Sequence, residues 1–271
     1  MNNKFYINPT TQGSCILIYN VEAGIHAFST IRNGLGVSSG NFGKMNINPY
    51  CGDNLDNVEK NIKILADELG LSENAIILPQ QTHGNNCKII TQDFLYLTPS
   101  LRENYLRNTD AIITNLRQIC IGVSTADCVP ILLYDKKNKV SAAVHSGWRG
   151  TVNRIIVCVV NEMIEKFHSV PQDIIAIIGP SISKLAFEVG QEVYDLFKKN
   201  KFLMSSISEI IDDKWHIDLC LANKLELLEN GLLESNIILS NICTYANSNL
   251  FFSARRLSFN CGRIYNGIII A

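Results

Sequence analysis

The chain lacks any Cys-x-x-Cys pair, any apolar run approaching the roughly 18 residues that span a bilayer, and any excess of one charge. With 24 basic and 25 acidic residues its formal net charge is −1, which removes the electrostatic footprint of a nucleic-acid binder. A small anionic substrate is still compatible, because a few local arginines bind it without a basic surface. Residues 1–9 contain no apolar core of signal-peptide length. Nine cysteines, an odd number, are scattered along the chain, so we expect reduced thiols, a cytoplasmic location and neither a membrane nor a nucleic-acid partner. Cys15, Cys120, Cys158 and Cys243 sit among apolar neighbours, where free cysteine serves as a small core residue.

Strand-like and helix-like segments are mixed throughout. Residues 14–19 and 25–28 read as an early strand pair. Residues 57–69 read as a helix, with Val58, Ile62, Leu65 and Leu69 on one face and Gly70 as terminator. Short runs rich in β-branched residues at 75–78, 88–90, 111–114, 119–123, 129–134 and 140–144 each have strand length. A long helix is expected over 151–167, a strand over 174–178, helices over 188–199 and 219–229, and strands over 237–242 and 263–270. The absence of helices between residues 111 and 145 argues against a doubly wound sheet. No repeat, linker or charge block interrupts this order, so we expect one α/β or α+β domain across residues 1–271.

Three short segments each carry one metal-competent side chain: Gln81-Thr82-His83-Gly84, Ala126-Asp127-Cys128 and His145-Ser146-Gly147-Trp148-Arg149-Gly150. Two imidazoles and a thiol at turns or strand ends suit a tetrahedral zinc site whose fourth position is open, the arrangement of catalytic rather than structural zinc. Polar groups at other element ends gain interest only if they converge on that set. Arg32 lies in the glycine-rich turn 28–36, and Arg255 lies in Ser253-Ala254-Arg255-Arg256, expected as strand with one arginine turned inward. Glu188 follows the turn after Gly179-Pro180. Asp127 and Glu188 are the acid/base candidates, Cys128 is a ligand or a nucleophile, and Arg32, Arg149 and Arg255 are candidates for holding phosphate. Trp148 and Phe252 are candidates for stacking on a base. Of the remaining histidines, His26 alternates with apolar residues as a core histidine would, His168 ends a helix, and His216 is left undecided.

The motifs Phe28-Ser29-Thr30 with Arg32, Gln81-Thr82-His83-Gly84, Ala126-Asp127-Cys128-Val129-Pro130, His145 to Gly150 and Ile178-Gly179-Pro180 occur in order. Together they resemble the family long labelled multicopper polyphenol oxidoreductase (laccase), whose members are assigned as purine nucleoside phosphorylases with adenosine deaminase activity. The resemblance implies a single α/β/β/α domain, a mixed β-sheet sandwich flanked by helices, with zinc held by His83, Cys128 and His145. It implies phosphorolysis of adenosine, inosine, guanosine and methylthioadenosine, deamination of adenosine, and action on small molecules as a monomer or homodimer. Related alternatives are a cysteine or zinc hydrolase editing peptidoglycan precursors, and the copper polyphenol oxidase of the older label. A multicopper oxidase needs many histidines, and this chain has five. The chain departs from the family's usual Gly-Pro-Cys-Ile-Gly by reading Gly179-Pro180-Ser181-Ile182-Ser183, and it splits the usual Ser-Thr-Arg as Ser29-Thr30-Ile31-Arg32.

Overall fold

A computed structural model describes residues 5–7, 14–21, 24–32 and 35–271. Asn33 and Gly34 of the turn at 28–36, and most of residues 1–9, lie outside the described residues. Strands β1 (Phe5–Ile7), β2 (Ile16–Tyr19) and β3 (Ile25–Thr30) come first, followed by helix α1 (Leu55–Leu69). Strands β4 (Ile76–Ile77) and β5 (Cys87–Ile89) precede two short helices, α2 (Gln92–Leu95) and α3 (Pro99–Leu106). Four strands then run in succession: β6 (Ala111–Thr114), β7 (Cys120–Thr125), β8 (Val129–Asp135) and β9 (Val140–Ser146). Helices α4 (Trp148–Val152) and α5 (Ile155–Phe167), strands β10 (Ile174–Ile178) and β11 (Glu188–Val189), and helices α6 (Gln191–Lys199) and α7 (Met204–Ile207) follow. The chain ends with β12 (Ser208–Ile211), β13 (Lys214–Ile217), α8 (Leu219–Glu229), β14 (Ile237–Leu239), α9 (Ala254–Leu257) and β15 (Ile264–Ile270).

These strands form two six-stranded sheets, ordered β1-β2-β3-β15-β7-β4 and β14-β10-β8-β9-β6-β5, and a small sheet β11-β13-β12. Every residue of β8, β9 and β15 is buried, because each strand is covered on both faces. One set of their side chains packs between the sheets: Val123 and Ile268 from the first meet Leu132, Ala143 and Ile177 from the second. The outer face of the second sheet packs on α5 and α8 through Val144, Val159 and Ala222. The outer face of the first packs on α1, where Leu65 meets Phe28 and Tyr265. The layers are therefore helix, sheet, sheet, helix, the α/β/β/α sandwich that the resemblance implies. Burying each Ile, Val or Leu in these layers contributes about 1.5–3 kcal/mol, so the interleaved sheets form a stiff frame.

Local rules account for most element ends. Asn54 caps α1 by accepting from the Asn57 N–H, and Gly70 closes it in the left-handed region at φ 66°. The helix expected over 151–167 is instead broken into α4 and α5 at Arg154, which sits at φ 59°. Left-handed backbone costs a non-glycine residue about 1–2 kcal/mol. The cost is offset here because the turn lets the Arg154 guanidinium donate to Glu226 at 2.8 Å and to the Asn200 carbonyl at 2.7 Å while lying over the Phe202 ring. The helix expected over 188–199 starts only at Gln191, because Glu188 and Val189 pair with β13. His26, read as a core histidine, is exposed on β3 while its neighbours Ile25 and Ala27 are buried.

Glu226 is 1% exposed, and its second carboxylate oxygen has no partner among the described residues. Burial pushes its carboxyl up from the usual 4.5 to about 7, with the Arg154 contact opposing the rise. A folded-state value above the unfolded one means that the folded protein holds this proton more tightly. The associated stability is full below about pH 4.5 and is lost as the pH rises through about 7. Glu226→Gln keeps the shape without the charge. Its unfolding free energy relative to wild type should therefore rise by on the order of 3 kcal/mol between pH 4.5 and pH 8 in chemical denaturation. A difference independent of pH would contradict this.

Candidate metal centre

Three connections meet at one end of the sandwich. The loop 79–84 carries His83 at φ 62°, the β7–β8 connection carries Cys128, and His145 is the penultimate residue of β9. The metal-competent atoms of His83, Cys128 and His145 all lie within 4.8 Å of one another, the only such group among the described residues. The two imidazoles meet edge to face with centroids 4.8 Å apart. His145 is 2% exposed, Cys128 is partly buried and His83 is exposed, so the set opens outward on the His83 side. Gly147 borders it closely: a β-carbon there would stand 3.0 Å from Cys128 Sγ and 3.1 Å from His83 Cδ2.

Asp110, fully buried at the head of β6, organises this geometry. Its Oδ1 accepts the His83 backbone N–H at 2.9 Å and faces His145 Nδ1 at 2.8 Å. Its Oδ2 accepts the N–H groups of Gly84 at 2.8 Å and Thr82 at 3.2 Å. One carboxylate thus fixes the whole His83 turn and orients the His145 ring, leaving Nε2 toward Cys128. Burial alone would raise the Asp110 carboxyl, but His145 and these N–H donors more than offset it and hold it below the ordinary value. Burial likewise opposes the Cys128 thiolate, yet the His145 and His83 imidazoles outweigh it and lower the thiol well below its usual value. His145 is raised in turn, against its own burial, by Cys128 and Asp110. The thiolate is the form that binds metal, so the donor set is electrostatically prepared for a cation.

A cavity of about 280 Å³ adjoins the triad. Tyr50 and the 84%-exposed Phe259 present aromatic surface to it, and Asn48, Gln81, Cys51 and Arg263 add polar groups. Gln81 is committed to β7, donating to the Ser124 carbonyl at 2.8 Å and accepting from its N–H at 2.7 Å, which locks the loop leading to His83. Arg263 donates to the carbonyls of Phe259 and Gly262, each at 3.1 Å, and so ties down the segment that carries Phe259.

The other residues singled out from the sequence lie elsewhere. Asp127, at φ 89°, is buried, and its carboxylate accepts from Thr244 Oγ1 at 2.6 Å and the Arg255 N–H at 2.7 Å, one donor on each oxygen, which braces the Cys128 turn. Glu188 is exposed on β11 and paired with Lys214 at 2.9 Å. Arg32 donates to the Gly43 and Ser248 carbonyls at 2.9 and 2.6 Å, and Arg149 is exposed over the Trp148 ring. Arg255 lies in the short helix α9 rather than a strand, over Phe187, and donates to the Ala186 and Glu188 carbonyls at 3.2 Å. None of Arg32, Arg149 and Arg255 lines the cavity; Arg263 does. Trp148 packs against the helix-covered core, and Phe252 is buried between the sheets. Sequence reasoning passed over Asp110, Arg263, Tyr50 and Phe259. The one available signal was an acidic side chain set immediately before the apolar run Ala111–Ile113.

A sandwich that gathers two imidazoles, a thiol and an orienting carboxylate at the mouth of a cavity defines a candidate metalloprotein. The chain belongs to the family described as multi-copper polyphenol oxidoreductase laccase, which it matches over residues 26–271. It is 42% identical over 250 residues to a purine nucleoside phosphorylase of Bacteroides thetaiotaomicron, with 92% of each chain covered. It is 40% identical to an adenosine deaminase (RL5) from an unknown prokaryotic organism, covering 90% of this chain and 94% of that one. Among solved structures it is similar to the hypothetical protein YfiH of Bacillus licheniformis, with a TM-score of 0.90 and 26% identity over 99% of this chain and all of that one.

Proposed function

We propose that this chain is a zinc-dependent purine nucleoside phosphorylase that also deaminates adenosine, acting on adenosine, inosine, guanosine and methylthioadenosine. The observation that carries the reading is the His83–Cys128–His145 set, fixed by Asp110 and open to a cavity of about 280 Å³ with aromatic and guanidinium groups on its wall. The names of the relatives, a purine nucleoside phosphorylase and an adenosine deaminase, support it. Two imidazoles and a thiolate with space beside them fit zinc with an open position. Copper fits less well. A blue-copper site adds an axial methionine, whereas Met45, Met163 and Met204 are buried in the two outer cores. Further coppers would need further histidines, and His26, His168 and His216 lie on β3, at the end of α5 and on β13.

Zinc held there would supply Lewis-acid polarisation and water activation, the chemistry that amine removal from a purine requires. The protein's own groups do the positioning. Tyr50 and Phe259 offer faces against which a purine stacks, and Arg263 places a cation where phosphate must enter. Asp110 retains the proton on His145 Nδ1 and so keeps Nε2 free as a donor. The reading includes small-molecule substrates, a cytoplasmic setting and a monomeric or homodimeric protein. Purified protein should release hypoxanthine from inosine only when phosphate is present, and should lose this activity to a strong chelator and regain it with zinc. Release independent of phosphate, or immune to chelation, would overturn the proposal.

One observation favours a second reading. Cys128, His145 and Asp110 also stand in the order nucleophile, base and orienting carboxylate, with the thiol lowered by His145. As a cysteine hydrolase the protein would be inactivated by thiol alkylation and indifferent to chelators.

A further inference from the structure

A second cavity, of about 320 Å³, lies outside the metal centre and none of the chemistry above uses it. It opens where β10 and β14 end. The two strands run parallel, with Ile178 opposite Leu239, and the chain leaves both at the crevice through Gly179 and Ser240. The mouth beyond the carboxyl ends of parallel strands is where open α/β sheets take ligands. Opposite these strand ends stand the N-cap and first two turns of α8, with Asp218, Leu221 and Lys224.

The lining has a definite chemistry. Lys184 and Lys224 bring two ammonium groups, against the single carboxylate of Asp218, which is already accepting the Leu221 N–H at 2.8 Å. Ser181 is 5% exposed, lines the cavity, and its hydroxyl has no hydrogen-bond partner among the described residues, although its backbone is fully paired with Ile242 and Thr244. A hydroxyl that opens on a cavity without a protein partner is free to donate to a polar guest there. Ser240 is 3% exposed, and its hydroxyl accepts only a long contact from the Ile242 N–H at 3.5 Å, so its proton is also available. Both lysines pair with surface carboxylates, Lys184 with Glu209 and Lys224 with Glu234, and those carboxylates are 53% and 72% exposed. Exposed ion pairs of this kind contribute little, so an anion in the crevice displaces them readily.

We propose that this crevice is a second ligand site that takes a phosphate dianion, held by Lys184 and Lys224, with Ser181 and Ser240 donating to its oxygens or to the hydroxyls of an attached sugar. Two sources share this chemistry, free inorganic phosphate and a small sugar phosphomonoester. The site is separate from the metal centre. The wall between them is the 181–183 segment, whose Ile182 N–H donates to the Asp127 carbonyl at 2.9 Å.

Titration calorimetry of the full chain with inorganic phosphate and with ribose 5-phosphate tests this. Wild type is compared with Lys184→Gln/Lys224→Gln and with Glu209→Gln/Glu234→Gln. Any phosphate bound beside His83 is common to all three proteins and cancels from the comparison. The lysine variant should bind at least tenfold more weakly. The glutamate variant, which frees both ammonium groups and cannot weaken binding by a simple loss of packing, should bind more tightly. Tighter binding of ribose 5-phosphate than of phosphate, lost in Ser181→Ala, assigns the sugar ester; equal binding assigns free phosphate. Affinities unchanged in both double variants, or no heat at millimolar ligand, would overturn the proposal.

Discussion

Replacing Cys128 by serine is expected to strip the protein of metal and to lower kcat/KM on inosine about a thousandfold or more. Serine is nearly isosteric, and Cys128 contributes the single sulfur of the three-donor set, so the fold is retained while the soft ligand is lost. A Lewis acid supplies several kcal/mol of transition-state stabilisation, and each 1.36 kcal/mol is a factor of about ten in rate. The thiolate also favours the charged form of His145, so its removal lowers that imidazole, with Asp110 still holding it up. Metal analysis beside the assay separates the two readings of this residue. Loss of activity together with loss of metal marks a ligand, whereas loss of activity from a protein that never held metal marks a nucleophile. A serine variant with full metal content and more than a tenth of wild-type activity would remove Cys128 from the site altogether.

Asp110→Asn is expected to weaken metal binding by about 10–100-fold while leaving all three donors in place. The carboxylate serves His145 Nδ1 and the N–H groups of Thr82, His83 and Gly84 simultaneously. A carboxamide has one oxygen to accept with and turns an NH₂ toward groups that also donate. That leaves buried donors unmatched, at a cost of about 1–3 kcal/mol. Competition with a chromogenic chelator gives the affinity, and activity should return at saturating metal because the donors themselves are intact. An affinity equal to wild type would mean that the His83 turn and the His145 ring are held by something other than Asp110.

The second expectation turns on Asp110, a residue that no sequence pattern singled out, and the reason is physical. Patterns report periodicity and local backbone needs. The strands read at 111–114, 129–134, 140–144 and 174–178 were legible because they are covered on both faces and so read as largely apolar runs, β8 and β9 extending one and two residues further. Helix α8 was legible to the residue, and α1 to within two, with Gly70 closing it. His83, Cys128 and His145 were legible because each stands at a turn or strand end beside such a run. The break at Arg154 was not, since its compensation comes from Glu226 and Asn200, 72 and 46 residues away in sequence. The β12–β13 hairpin escaped for another reason. Ser208, Glu209, Asp212, Asp213 and Lys214 make its edge polar and exposed, so it lacks the apolar signature of a strand. Asp110 and Arg263 gain their meaning only from the sandwich, which brings β6, β9 and the start of β15 to one end of the molecule. The arginines that looked promising, Arg32, Arg149 and Arg255, are held by carbonyls or lie over aromatic rings away from the cavity, whereas Arg263, itself tied to carbonyls, lines it.

X-ray absorption on the purified protein reads the metal and its ligands at His83, Cys128 and His145 without reference to any substrate. Zinc on this donor set gives a zinc edge with one sulfur at about 2.3 Å and nitrogen scatterers at about 2.0–2.1 Å, completed by one further light atom. A copper edge, a first shell without sulfur, or protein that takes up no metal when supplied with zinc would contradict it.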